Sequence, residues 1–290
     1  MSAKPSPKCC NSYHDKHMST QEEKGKIFRA LHAREQALII PNPWDIGTAH
    51  LLARLGFGAL ATTSAGHAFS LGQQDNTVSR DKTMAHAVDI VSATDLPVSA
   101  DLLNGFGDSP ETVAETIRLA GRTGLVGSSI EDSTNRRDEP IYGFELAVER
   151  VRAASEAARS FPFSFMLTAR AENYLVGRSD VKDTIKRLQA YQEAGADVLY
   201  APGLSTSDDI AAVVSSVDRP VNVLMGLAGV GMTVAELSEL GVKRVSVGSA
   251  LSRAALGAFL RAAREMKESG TFTFADEASN YRELSKMFER

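Results

Sequence analysis

Cysteine is nearly missing from this sequence. Of 290 residues only Cys9 and Cys10 are cysteines, adjacent to each other near the start. Neighbouring cysteines rarely bridge and no CxxC spacing is present, so neither a disulfide framework nor a structural zinc site is expected. Long apolar runs are missing too. None approaches the roughly 20 residues that span a bilayer, which argues against a membrane protein. The first residues hold no apolar signal core, and we expect a cytoplasmic protein. Basic charge is not in excess: 32 Lys and Arg face 36 Asp and Glu, a net charge of −4, so nucleic acid is not an expected partner. No strand-like run is followed by the glycine fingerprint of a dinucleotide site.

What is present is a regular alternation. Residues 1–18 lack periodicity and read as a disordered leader, with His14 and His17 in a solvated tail. Gln21–Ala33 suits a leading helix with Ile27, Phe28 and Leu31 on one side. Eight short apolar runs follow: Ala37–Pro41, Gly58–Thr63, Leu96–Ala100, Leu125–Ile130, Phe163–Thr168, Asp197–Tyr200, Pro220–Leu224 and Val242–Val247. They are almost continuously apolar or small, as strands are when helices cover both faces of a parallel sheet. Helical stretches lie between them, among them Asp45–Leu55, Ser109–Arg122, Phe144–Arg159, Asp180–Glu193 and Val234–Glu239. Four of these stretches end at Gly56, Gly124, Gly195 and Gly241, where glycine supplies the left-handed residue that turns the chain into the next strand. The pattern predicts an α/β fold, a (β/α)8 TIM barrel in one domain over 19–290, with an N-terminal helix and a C-terminal helical extension. In that extension, Leu251–Glu268 is amphipathic and Tyr281–Phe288 forms a final helix. Its apolar patches can pack on a neighbouring subunit or on its own barrel.

Polar residues at strand C-termini come first as candidates, because the loops there build the active face of such barrels. Asp101 follows the third strand and leads into Asn104-Gly105-Phe106-Gly107. Glu131 and Asp132 end the fourth. Asp101 and Glu131 with waters would suit magnesium, or manganese in its place, whereas the plainer reading has them capping helices. Arg170 ends the fifth strand with Glu172 two residues on. It can hold a carboxylate in a two-point fork or bridge Glu131 or Glu172. Thr63, Ser64, Ala65 and Gly66 follow the second strand, either as amides free for an anion or as a tight turn. His67 beyond them is an acid or base by type but is expected to face solvent. Tyr200 near the end of the sixth strand can supply a proton. The glycine segments 225–229 and 247–250 give a weak phosphate signal.

Three segments in order are specific in combination: Ala-Asp-x-x-Asn-Gly-Phe-Gly from Ala100, Ile-Glu-Asp from Ile130, and Thr-Ala-Arg-x-Glu from Thr168. With them, Ile39 to Leu251 resembles the isocitrate lyase/phosphoenolpyruvate mutase superfamily. The resemblance implies a magnesium-dependent enzyme acting on a small 2-oxo or 2-hydroxy carboxylate through an enolate, often as a homotetramer or homodimer. It implies that Asp101 binds the metal and Glu131 acts through its water shell. Arg170 contacts the substrate, Ser64 and Ala65 offer amides to its carboxylate, and Asp75 lies near the metal. Thr63 and Asn104 complete the expected substrate-binding set.

Two departures from the family pattern bear on the reaction. Leu103 stands where the family often has a second acid. The Lys-x-Cys-Gly-His loop of the lyases is replaced by Asp132–Pro140, with no cysteine anywhere in the barrel. A standard isocitrate or methylisocitrate lyase is therefore disfavoured, since the enolate has no matched acid. Asn135 and Arg136 on that loop resemble the phosphonate-processing branch and suit a lid over an anion. The expectations are a lyase or decarboxylase first, then a phosphonopyruvate-type mutase or hydrolase, then a carboxylate-binding barrel without turnover.

Overall fold

Thr20 starts the first helix by a reciprocal cap: its side chain accepts from the Glu23 amide, and the Glu23 carboxylate accepts from the Thr20 amide. This helix, α1 (Gln21–His32), places Phe28 and Leu31 against Leu38, Ala59, Val126, Met166 and Val198, closing the bottom of a barrel. Ile27, expected on the same side, is 45% exposed. Gly25 permits the close approach, because a Cβ there would sit 2.4 Å from the Ser164 carbonyl oxygen. The computed structural model describes residues 19–227 and 230–289. The leader with Cys9, Cys10, His14 and His17, and Ala228 and Gly229 of the late glycine segment, lie outside the described residues.

Eight strands follow: β1 (Leu38–Ile40), β2 (Leu60–Ala61), β3 (Val98–Asp101), β4 (Gly127–Glu131), β5 (Met166–Arg170), β6 (Val198–Tyr200), β7 (Val221–Leu224) and β8 (Arg244–Ser246). All pair in parallel, in the order β1-β8-β7-β6-β5-β4-β3-β2. Between β1 and β2 the Ala61 amide donates to the Pro41 carbonyl at 3.1 Å, so the ring is nearly closed. This is the expected (β/α)8 barrel. Five of the strands lie inside their apolar runs, while β3 and β4 extend one residue past theirs and β5 two, to Asp101, Glu131 and Arg170.

The outer helices are α2 (Ile46–Arg54), α3 (Ser64–Ser70), α4 (Arg80–Ser92), α5 (Pro110–Gly121), α6 (Phe144–Arg159), α7 (Val181–Glu193), α8 (Ser207–Ser215) and α9 (Val234–Glu239). Gly56, Gly124, Gly195 and Gly241 have φ of 86°, 90°, 105° and 88°, the left-handed conformation their positions called for. Ser64–Ser70 is a helix rather than a plain turn, because the Thr63 side chain accepts from the Gly66 amide and starts it.

Beyond β8 come α10 (Ala250–Glu268), a 3-10 turn at Thr273–Glu277 and α11 (Tyr281–Lys286). Only Ser252 of α10 is buried, while Leu256, Phe259 and Leu260 are exposed, so this helix does not bury its apolar face on its own barrel. Among the described residues no helix is long and apolar enough to cross a membrane.

Candidate active site

The C-terminal ends of the strands surround a cavity of about 160 Å³ lined by Thr62, Thr63, Ser64, Ala65, Asp75, Asp101, Arg170 and Tyr200, and deeper by Asn222, Ser246 and Arg244. Register explains the convergence. Asp101 pairs with Ser129, Glu131 with Arg170, and Arg170 with Tyr200, so successive strands deliver their last residues to one mouth.

Arg170 is the hub of that mouth. Its Nη1 lies 3.1 Å from Asp101 Oδ1 and 3.1 Å from Glu131 Oε2, and its Nε donates to Glu172 Oε1 at 2.9 Å. The guanidinium carbon stands 5.2 Å from the centre of the Tyr200 ring. Burial strips hydration from the acids and raises Glu131 well above the usual carboxylate range; Arg170 opposes the rise, and Glu172, Asp101 and Asp75 add to it. Glu172 is raised by burial as well. Asp75 sits on an exposed loop with its carboxyl turned to the rim; desolvation raises it first and Asp101 second, while a bond from the Ser64 hydroxyl opposes both.

Asp101 is held by its own turn. Its Oδ1 accepts from the Leu103 amide at 3.2 Å and its Oδ2 from the Ser64 amide at 3.3 Å. Its backbone amide donates to Thr62 Oγ1 at 3.0 Å. Leu103, standing where the family often has an acid, thus serves through its backbone. It adopts φ 53°, and Phe106 adopts φ 64°, conformations that side chains rarely take. The buried Arg150 pins this strained turn by donating to the carbonyls of Gly107, Asp108 and Asn104, with its guanidinium carbon 4.0 Å from the centre of the Tyr142 ring.

Several expected residues lie elsewhere. The Asn104 side chain donates to Tyr142 Oη at 3.1 Å and accepts from the Phe106 amide, so it braces the turn and does not line the cavity. Asn135 is exposed, at φ 59°, with its carbonyl oxygen against the Ser133 hydroxyl. Arg136 beside it pairs with Asp108 at 2.8 Å and Glu139 at 3.3 Å, which folds this loop onto its neighbour and away from the mouth. Asp132 is structural. It accepts from the Glu172 amide at 2.8 Å, Tyr191 Oη at 2.6 Å and Arg187 Nη1 at 3.0 Å. Removing one partner of that buried pair would cost about 3–5 kcal/mol. His67 is half-buried, not solvent-facing: its ring stacks on His86 at 3.8 Å, and burial pushes it down to about 4, so it is neutral at physiological pH. The Val247 and Gly248 amides, possible phosphate donors, are both taken by Asn42 Oδ1 at 2.9 Å.

The floor of the cavity was not anticipated. Arg244 begins β8, faces inward and is 6% exposed. Its Nε donates to Asn222 Oδ1 at 2.8 Å and its Nη2 to Thr168 Oγ1 at 3.0 Å. Asn222 Nδ2 donates to Ser246 Oγ at 2.9 Å, and Ser246 in turn bonds the Tyr200 hydroxyl. An inward two-residue alternation, Arg244 with Ser246 beside Asn222 with Leu224, was the available signal.

Comparison with known proteins agrees with the fold. Residues 28–267 match the phosphoenolpyruvate phosphomutase family. A crystal structure from Burkholderia cenocepacia J2315, its protein assigned only by class as a lyase/mutase, is 61% identical, covers 93% of this chain and 97% of its own, and superposes with a TM-score of 0.91. The 2,3-dimethylmalate lyase structure, described as a PEP mutase/isocitrate lyase superfamily member, is 26% identical over 93% of this chain and 95% of its own, with a TM-score of 0.81. The 2-methylisocitrate lyase of Escherichia coli K12 is 33% identical over 62% of each chain, and an uncharacterized protein of Mycobacterium tuberculosis H37Rv is 32% identical over 83% of this chain and 89% of its own. The chain belongs to the phosphoenolpyruvate phosphomutase family, within the isocitrate lyase/PEP mutase superfamily.

Proposed function

We propose that this protein is a magnesium-dependent lyase or decarboxylase acting on a small 2-oxo or 2-hydroxy carboxylate through an enolate. The observation that carries this reading is the charge at the mouth. Four carboxylates, Asp75, Asp101, Glu131 and Glu172, crowd one guanidinium, Arg170, and three of the four are raised by burial and by each other. A divalent cation would relieve that excess, and an all-oxygen donor set suits magnesium, which takes few carboxylates and keeps its water. Among the described residues no group of three or more acidic, histidine or cysteine side chains is arranged to hold a metal ion by itself; magnesium needs fewer protein ligands, since it keeps several waters. Asp101 lines the cavity and would hold the ion directly, whereas Glu131 and Asp75 would act through water. Bound magnesium would supply positive charge to the oxygens of a 2-oxo acid as negative charge develops there.

The chain's own groups do the rest. Arg170, fixed on three sides by acids, keeps a preorganised guanidinium at the developing oxyanion without reorienting during reaction. In decarboxylation the bond to the departing carboxylate breaks, its electron pair passes into the enolate, and carbon dioxide leaves. The enolate carbon then takes a proton from solvent or from Tyr200. Burial pushes that phenol up to about 12, so its proton is in place at neutral pH. This demands less of the site than a lyase reaction whose acid, a loop cysteine, the barrel lacks.

A second reading has specific support. A Burkholderia cenocepacia J2315 structure assigned by class as a phosphonomutase is 36% identical over 86% of this chain and 99% of its own, with a TM-score of 0.77. Turnover of oxaloacetate and of phosphonopyruvate, each with and without magnesium, separates the two. We expect magnesium-dependent loss of oxaloacetate that Asp101→Ala abolishes while circular dichroism stays unchanged. Turnover of phosphonopyruvate alone would replace the first reading with the second, and full activity in the Asp101 variant would remove the metal assignment.

A further inference from the structure

The two arginines in the cavity have opposite surroundings. Arg170 is neutralised by Asp101, Glu131 and Glu172. Among the described residues Arg244 has no carboxylate within ion-pairing distance, and its Nη1 has no hydrogen-bond partner. Both partners it does have, Asn222 and Thr168, are neutral. A buried guanidinium without a counter-ion is among the more costly arrangements in a protein interior, and chains usually pair it or replace it. Burial lowers Arg244 from its usual range to about 10, with only Tyr200 opposing, so the group remains charged at neutral pH. That charge lines the cavity.

Position gives the charge a use. The Arg244 guanidinium bonds Thr168, two residues before Arg170 on β5, so it lies about 6–7 Å deeper along that strand than the residue that ends it at the mouth. The acids are at the mouth and the unpaired cation is at the floor. A molecule whose first carboxylate engaged the mouth and that extended inward would bring its far end toward Arg244.

We propose that Arg244 receives a second anionic group of the substrate, so that the cavity selects a 2-oxo or 2-hydroxy acid with an acidic group at its far end. The inference rests on the enolate reading, which places the first carboxylate at the mouth. Asn222 and Thr168 position the guanidinium by taking its Nε and Nη2, which leaves Nη1 for the ligand. A purely structural arginine would give no preference among ligands that share the same head group.

Calorimetry in saturating magnesium tests this with four probes. Oxalate reports the mouth alone. Malate, 2-hydroxy-3-phosphonopropanoate and 2-hydroxybutyrate share a 2-hydroxy acid head and differ at the far end as carboxylate, phosphonate and methyl. We expect at least one of the two anionic probes to bind about tenfold or more tightly than 2-hydroxybutyrate, the size expected for a hydrogen bond to a buried charge. Which of the two binds more tightly identifies the far-end acid. Arg244→Gln should remove the preference and leave oxalate affinity unchanged. Should that variant fail to fold, Asn222→Asp serves instead: it places an internal carboxylate beside the Nε, and it should also remove the preference. Equal binding of all three hydroxy acids by the wild type, with oxalate still bound, would overturn this inference alone. So would a preference that survives in a folded variant. Failure of oxalate to bind would overturn the enolate reading, and this inference with it.

Discussion

The mouth and the floor of one cavity each hold a buried arginine, and the chain treats them differently. At the mouth, Arg170 is enclosed by three acids within 3.1 Å, and burial raises Glu131 with the surplus of negative charge adding to it. At the floor, Arg244 has only an amide and a hydroxyl among the described residues. The first arrangement is complete in itself and over-supplied with anions, so it calls for a cation. The second is under-supplied and calls for an anion. A single small molecule that brings a cation to one end and an acid to the other would satisfy both, which is why the contrast reads as a binding site rather than as two accidents of packing.

The largest expected effect at the mouth comes from Arg170→Lys. An ammonium cannot donate in a planar fork to Glu172 and Asp101 together, and turnover should fall about 100-fold, as when one preorganised donor to an oxyanion is removed. A rate within threefold or so of wild type would demote Arg170 to a structural ion pair and leave the contrast with Arg244 without meaning.

A smaller change should come from Leu103→Asp, which restores an acid where the family often has one. The left-handed backbone at this position tolerates aspartate better than leucine. A further carboxylate at the mouth should tighten magnesium binding severalfold in a calorimetric titration. Weaker binding would mean that the mouth already carries all the negative charge it can use.

The smallest effect is one of pH. Burial and neighbouring acids raise Glu131, Glu172 and Asp75. A carboxyl raised in the folded state contributes stability that is present in acid and is lost as pH climbs from the ordinary carboxylate range through the raised value. Magnesium offsets that loss only where the acids are ionised. The rise in melting temperature on adding magnesium should therefore be a few degrees larger near about pH 8 than near about pH 5. An equal rise at both would place the ion somewhere other than this acid cluster.

Much of this contrast was legible in the sequence, but unevenly. The barrel was legible because eight apolar runs alternate with helices that end in glycine, and all four named glycines take a left-handed φ. The placement of Asp101 and Arg170 at the mouth was legible because Asp101 directly follows such a run and Arg170 lies two residues past one, where barrels carry their active-face loops. The floor was hidden for the same reason. Arg244 begins its strand beside Lys243, and a charged pair at the start of a strand reads as solvent-facing; only the closed ring turns one of the two inward. Asn104 and Asn135 erred the other way. Their sequence neighbourhoods pointed to the ligand, yet contacts distant along the chain decided their directions, through Tyr142 for the first and through the Arg136–Asp108 pair that folds the second's loop aside. The helix Ser64–Ser70 escaped because its seven residues, small or polar except Phe69, carry no helical period, and the Thr63 cap that starts it gives the same signal as a turn.

Calorimetric titration of oxalate, with magnesium and with a chelator, tests the central claim most directly, because oxalate mimics an enolate and needs only the mouth. The account predicts binding that depends on magnesium and disappears in Asp101→Ala. Oxalate binding of equal strength without any divalent ion, or no binding under either condition, would contradict it.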